Sequence, residues 1–196
     1  MAFKKVQPDK PVSQLTPLDV TCTSTRCNDK LHCFKVNKRL EKKYGRTGIC
    51  RDCQADLVDW ERIRMNNLDD VNYTFTMLRH ELIRHVFWHT EISAKAIDTA
   101  LQKGRIVLKE KAIEELRKKV GGEKNFREGY QTPKGGDDII HYAQHATATC
   151  CRKCMEYWFK IPIGTVLTEK QLEYCAELII RYIDDRVKDL SKAGIK

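Results

Sequence analysis

No run of about 18 apolar residues occurs in this 196-residue chain, so no membrane-spanning helix is expected. The opening stretch, Met-Ala-Phe-Lys-Lys-Val-Gln-Pro-Asp-Lys-Pro, is polar and lacks the apolar core of a secretion signal. There is no internal repeat, which excludes a stacked-repeat architecture. Some catalytic signatures are missing too. A metal-dependent nuclease gathers several carboxylates, or a His-Asn-His set, around a divalent ion. Here Asp137 and Asp138 are simply adjacent, and Glu110 sits between Lys109 and Lys111 in a helical charge run. A zinc deaminase pairs H-x-E with P-C-x-x-C. His145-Ala146-Thr147 has no glutamate and Cys150 follows a threonine, so that chemistry is excluded.

Cysteine is what the chain has in quantity: nine residues, of which only Cys175 stands apart from two clusters. An odd count, a long chain and no export signal argue against a disulfide scaffold. Zinc held by thiolates in a reducing cytoplasm is the better expectation, because a CxxC pair turns about a tetrahedral ion as a knuckle. In the first cluster the best four ligands are Cys27, Cys33, Cys50 and Cys53, with Cys22 and His32 as competitors. The second offers His145, Cys150, Cys151 and Cys154, with His141 beside them and His85 and His89 as distant donors. Cys175 falls on an apolar helical stripe and reads as a core residue.

The formal net charge is +9, which suits a polyanionic partner. From Lys30 to Arg51 there are eight basic residues against the single acid Glu41. Lys103 to Arg127 carries nine against four, a mixture that equally describes a solvated face. Nucleic acid, with DNA favoured, is therefore the expected partner, contacted through Lys35, Lys38, Arg39, Lys42, Lys43 and Arg46.

The expected fold is mainly α: a helical body carrying a zinc finger-like N-terminal element of small α+β type and a second Cys/His cluster. Residues 1–20 read as a flexible arm with three prolines, 21–65 as the zinc module and 66–196 as the helical domain. The Lys35–Arg46 insert reads as a basic ribbon or helix, and a helix is expected to follow Cys53 from Gln54. Asp69 and Asp70 are expected to cap one long helix running to about Trp88. Ser93 opens a helix ended by Gly104, and a further helix covers about Val107 to Val120. Residues 121–138 form a long Gly-rich loop, of the kind that is functional or disordered. Ile139 to Ala143 is a short strand candidate, Cys150–Phe159 reads as helix, and Thr168 caps the last one.

Gln131-Thr132-Pro133, then Ala143-Gln-His-Ala-Thr-Ala-Thr-Cys-Cys-Arg-Lys-Cys154, then Trp158, Ile161-Pro162, Gly164 and Leu167-Thr168 together resemble an uncharacterised bacterial domain family. The resemblance covers roughly His89 to Ile183, and the central run is specific. It implies a small soluble bacterial domain of unknown function. Phe159 stands where the family pattern has a histidine, and Asp137 and Asp138 replace a His-Pro type sequence. The N-terminal metal module lies outside the resemblance and reads as an added recognition element.

Gln144, His145, Thr147 and Thr149 alternate with alanines, which suits either a polar pocket floor or a buried hydrogen-bond network. A base-removing glycosylase needs a basic track, a polar pocket and a carboxylate to stabilise oxocarbenium charge. Asp137, Asp138 and His145 are the catalytic candidates, with Gln131, Gln144 and Tyr142 to receive a nucleotide. Hydrolysis of an N-glycosidic bond in modified or foreign DNA is thus one expectation. The other is a non-catalytic zinc-stabilised nucleic-acid-binding, adaptor or regulatory protein.

Overall fold

The computed structural model describes residues 10–35, 38–45 and 47–190. Among them the elements are helices: α1 Lys38–Tyr44, α2 Trp60–Arg64, α3 Val71–Arg79, α4 Leu82–His89, α5 Ala94–Lys119, α6 Ile139–Ala146, α7 Arg152–Phe159 and α8 Glu169–Arg186. The described residues contain no strand, and extended pairing is limited to two isolated bridges, Arg26 with Leu31 and His32 with Glu81. The expected mainly α fold is the observed one.

α8 is the axis of the body. Thr168 accepts from the Gln171 amide while the Gln171 side chain accepts from the Thr168 amide, a reciprocal cap that fixes where the helix begins. Leu172, Cys175, Ala176, Ile179, Ile180 and Ile183 are buried on it, with α5 and α6 packed alongside. Each fully buried Leu or Ile contributes roughly 1.5–3 kcal/mol, so this stripe alone commits the chain to the packing. Cys175 lies fully buried within it, as expected of a core residue. α5 is broken at Gly104, whose φ of 71° and ψ of 170° interrupt the helical path.

Three elements differ from the sequence reading. The helix expected from Asp69 to Trp88 is two helices, because His32 pairs with the backbone between them. Its amide donates to His80 O at 2.7 Å and its carbonyl accepts from the Leu82 amide at 3.0 Å. The 139–143 strand is the start of α6. Asp138 caps it through the Ile140 amide, and Ile139, Ala143 and Ala146 recur at helical spacing on a buried face. The helix expected to start at Gln54 begins only at Trp60, capped by Asp59.

One apolar core runs through both halves of the chain. Leu15, Val20, Leu31 and Phe34 belong to it together with residues of α3 to α8. Phe34 is fully buried, with its ring edge-on to Trp60 and Trp158 at 6.2 Å each. The Trp60 indole donates to Gly48 O at 3.0 Å. Gly48 has φ of 79°, and a Cβ there would lie 2.1 Å from the indole nitrogen, so the approach requires glycine. No helix of the described residues is long and apolar enough to cross a membrane.

Candidate functional site

Cys27, His32, Cys50 and Cys53 bring four ligand atoms within 4.8 Å of one another, a group able to hold a metal ion. Tetrahedral coordination with metal–sulfur bonds of about 2.3 Å puts sulfurs roughly 3.8 Å apart, and a sulfur and an imidazole nitrogen roughly 3.5 Å apart. Cys27 Sγ lies 3.8 Å from Cys50 Sγ, and Cys53 Sγ lies 3.4 Å from His32 Nδ1. The spacing therefore matches a shared ion. Burial pushes the Cys50 thiol up, but backbone N–H groups of Cys33, Cys53 and Asp52 aimed at the sulfur bring it below the ordinary thiol value. Burial, reinforced by His80, holds His32 below its ordinary value, so its imidazole is neutral and able to ligate.

The sequence reading placed Cys33 in this shell, with His32 as a competitor. In the structure His32 takes the place. Adjacent residues in extended chain point to opposite sides, so only one of the two can face the knuckle. Cys33 turns the other way, donating its S–H to Cys22 O at 3.1 Å.

Cys150, Cys151 and Cys154 form the second group, again within 4.8 Å of one another and at most 3% exposed. Local structure explains the convergence. At the end of α6 the Thr149 amide donates to Gln144 O at 2.9 Å, and Ala148 adopts a left-handed φ of 58°. This is the Schellman closure of a helix end, here with alanine rather than glycine at the left-handed position. Thr147 Oγ1 donates to Ala143 O at 2.8 Å and lies 3.1 Å from Thr149 Oγ1. The turn throws Cys150 and Cys151 back towards Cys154 in the first turn of α7.

A residue that the sequence reading passed over sits among these thiols. Arg84 of α4 is 1% exposed. Its guanidinium donates to Cys154 Sγ at 3.0 Å, His145 O at 2.6 Å and Glu81 Oε2 at 3.1 Å, and lies 3.7 Å from Cys150 Sγ. Glu81 also accepts from the Trp158 indole at 3.1 Å. A buried arginine needs acceptors able to carry charge, and the Cys154 sulfur and the Glu81 carboxyl are placed to supply it. Hydrogen bonds from Cys150, Cys151 and Cys22 hold the Cys154 thiol well below its ordinary range. The available signal was a lone arginine inside the apolar run Leu82-Ile83-Arg84-His85-Val86-Phe87-Trp88.

His145, expected both as ligand and as base, is not grouped with the three sulfurs. Its Nε2 lies 3.2 Å from Thr132 O and 3.1 Å from Pro133 O, so that nitrogen carries the proton. The ring stacks on Phe87 at 4.5 Å, and burial pushes its pKa down to about 4. Gln144 is fully buried, with Oε1 3.1 Å from Thr132 Oγ1. Tyr142 meets Phe87 edge-on, and Gln131 accepts from the Gly129 amide. Asp137 lies exposed against Lys95 and Ser93, while Asp138 caps α6 and pairs with Lys111 at 2.6 Å. The structure thus draws Asp137, Asp138 and His145 into three separate sets of partners. His141 lies 3.2 Å from Lys119 Nζ, and His85 and His89 stack on each other at 4.0 Å, lining a shallow cleft with His80 and Arg79.

The two basic segments are placed differently. In the second, Arg105 and Lys109 pair with Glu177, Arg117 with Glu169, Lys111 with Asp138 and Lys119 with Glu115. In the first, Arg39, Lys42 and Lys43 on α1 are exposed, and none has an ion-pair partner among the described residues. Lys35 is partly buried, where burial works against its charge and the influence of Cys154, Cys22 and Cys151 favours it, and Arg46 lies outside the described residues.

No solved structure matches the chain. The family model described as a domain of unknown function, DUF4186, matches residues 72–184, which takes in Arg84, the three clustered thiols and most of α8 but leaves out the first knuckle. The match spans more than half the chain, and so the protein belongs to the DUF4186 family.

Proposed function

We propose that this protein is a zinc-stabilised nucleic-acid-binding protein, DNA favoured, in which the Cys27–His32–Cys50–Cys53 knuckle presents the basic helix α1 to a phosphate backbone. The observation that carries the reading is the contrast in charge pairing. Acids pair with Arg105, Lys109, Lys111, Arg117 and Lys119 of the second basic segment and leave Lys118, Lys124 and Arg127 exposed but spread along the chain, whereas Arg39, Lys42 and Lys43 stand exposed together, without ion-pair partners among the described residues, on one short helix between His32 and Cys50. Cations of that kind gain affinity for DNA by releasing its condensed counterions. Three thiolates and a neutral imidazole at tetrahedral spacing favour zinc.

The non-catalytic form of this reading fits the geometry better than base excision. A shell closed by four protein ligands leaves no position for water or substrate. Asp137, Asp138 and His145 are engaged by Lys95, Lys111 and the Thr132–Pro133 carbonyls respectively.

The test is fluorescence anisotropy of the zinc-loaded chain with labelled duplex DNA across a salt series. Binding should weaken steeply with salt. The Arg39→Ala/Lys42→Ala/Lys43→Ala variant should lower the slope of log K against log salt by about 3, roughly one for each phosphate no longer neutralised. Cys53→Ser should weaken binding similarly by releasing the helix. Absence of salt-dependent binding to duplex DNA, single-stranded DNA and RNA would overturn the proposal. Alkali-labile abasic sites appearing in a panel of modified duplexes would replace it with the glycosylase reading.

A further inference from the structure

Cys150, Cys151 and Cys154 meet because of the turn that carries them. Cys151 precedes α7 in extended backbone, φ −164° and ψ 161°, and its carbonyl accepts from the Cys154 amide at 3.0 Å. Cys154 thus lies in the first helical turn, and the CxxC closes on itself as a knuckle. Thr132 Oγ1, from the long loop, donates to Cys150 O at 2.9 Å and holds the third thiol-bearing residue in the same turn. The three sulfurs end within 4.8 Å of one another, at most 3% exposed. Sulfurs bound to one tetrahedral zinc stand about 3.8 Å apart, so shifts of about 1 Å or less would seat an ion among them.

A guanidinium placed against the same sulfurs is the second, separate observation. Arg84 donates to Cys154 Sγ at 3.0 Å and lies 3.7 Å from Cys150 Sγ. It is fixed there by His145 O at 2.6 Å and by Glu81 Oε2 at 3.1 Å, which the Trp158 indole holds in turn at 3.1 Å. A charged donor favours a thiolate over a thiol, and hydrogen bonds to the ligands are the outer shell that orients and tunes a metal site. A disulfide would engage only two of the three free sulfurs, whereas one ion engages all of them.

We propose that Cys150, Cys151 and Cys154 hold a second metal ion, a thiophilic one of the zinc class, with Arg84 as the outer-shell donor to its sulfurs. All four residues lie within 72–184, so this site belongs to the DUF4186 domain itself, whereas the first knuckle is an addition to it. No fourth ligand atom joins the group among the described residues, so the protein supplies three. Each thiol gives its proton to solvent as the ion binds, and no electron is transferred. The sulfurs are closed from solvent, and the ion's role is structural. It ties the end of α6 to the start of α7 and, through Arg84, to α4.

The test needs no nucleic acid and is therefore independent of the function proposed above. The wild-type full chain, purified with zinc(II), should carry two ions in native mass spectrometry. Cys27→Ser/Cys53→Ser disables the first group and should retain one. Exchange of that ion for cadmium-113 should give an NMR resonance in the range of three sulfur ligands. A single ion in the wild-type chain, or none in a variant whose far-UV circular dichroism stays helical, would overturn the proposal. So would a four-sulfur resonance, or a disulfide between two of the three thiols mapped in the anaerobically purified chain. Arg84→Lys keeps a cation but loses the planar fork, and should weaken the retained ion about 10- to 100-fold in competition with a chelator. Unchanged affinity would overturn the outer-shell role of Arg84.

Discussion

Around Cys27, His32, Cys50 and Cys53 the chain is half open to solvent, with Cys53 exposed and a basic helix alongside, whereas Cys150, Cys151 and Cys154 are at most 3% exposed inside the helical body. The open knuckle is tuned by backbone amides and a neutral imidazole, and the closed one by a buried guanidinium. The first arrangement is open to exchange with solvent. The second is built into the core, so its thiols and the fold stand or fall together.

The strongest way to break this comparison is Cys154→Ser. It removes one partner of Arg84 and leaves the guanidinium with Glu81, the His145 carbonyl and a buried hydroxyl. Breaking one side of a buried charged interaction costs about 3–5 kcal/mol. Urea denaturation followed by far-UV circular dichroism should find no cooperative transition for the helical body. A stable body would show that the closed cluster is dispensable to the core.

Arg84→Met comes next. Glu81 would lose its cation while keeping only the Trp158 indole, so destabilisation of about 3 kcal/mol is expected. Adding Glu81→Gln should recover part of that loss, and a double-mutant cycle from denaturant midpoints measures how much. Additive effects would show that the pair does not act as a unit.

The smallest effect is on acid stability. Burial lowers the pKa of His145 to about 4 from its ordinary 6.5, so the native form binds the proton more weakly than the unfolded chain. Its contribution is therefore fully present above about pH 6.5 and is lost as the pH falls towards 4. The loss amounts to about 3 kcal/mol at most. Unfolding free energies at pH 7 and pH 5 should differ less in His145→Gln than in the wild-type chain. Parallel slopes would remove His145 as a source of acid sensitivity.

What could be read from the sequence was whatever is decided locally. Thr168 and Gln171 announce the start of α8, Gly104 marks the break in α5, and the CxxC pairs mark both knuckles, because each depends on residues within a few positions. The division of α3 from α4 was not legible, since it is imposed by the distant backbone of His32. The apolar run at Ile139 was too short to separate strand from helix, and packing against α4 and α8 decided it. The choice between His32 and Cys33 turned on which side of an extended segment faced the metal group, which spacing does not encode. Arg84 was invisible as a partner of thiols because the residues it joins lie far apart in the chain.

The placement of the sulfurs along the sequence orders events during synthesis. Cys27 to Cys53 leave the ribosome close together, whereas Cys150, Cys151 and Cys154 follow after an interval on the order of ten seconds. Throughout that delay Cys22 and Cys33 are spare thiols beside the nascent Cys27–His32–Cys50–Cys53 group, free to trade places with its members. His32 is the safeguard the chain provides, for once residues 80–82 emerge their backbone captures it and locks the early knuckle in register.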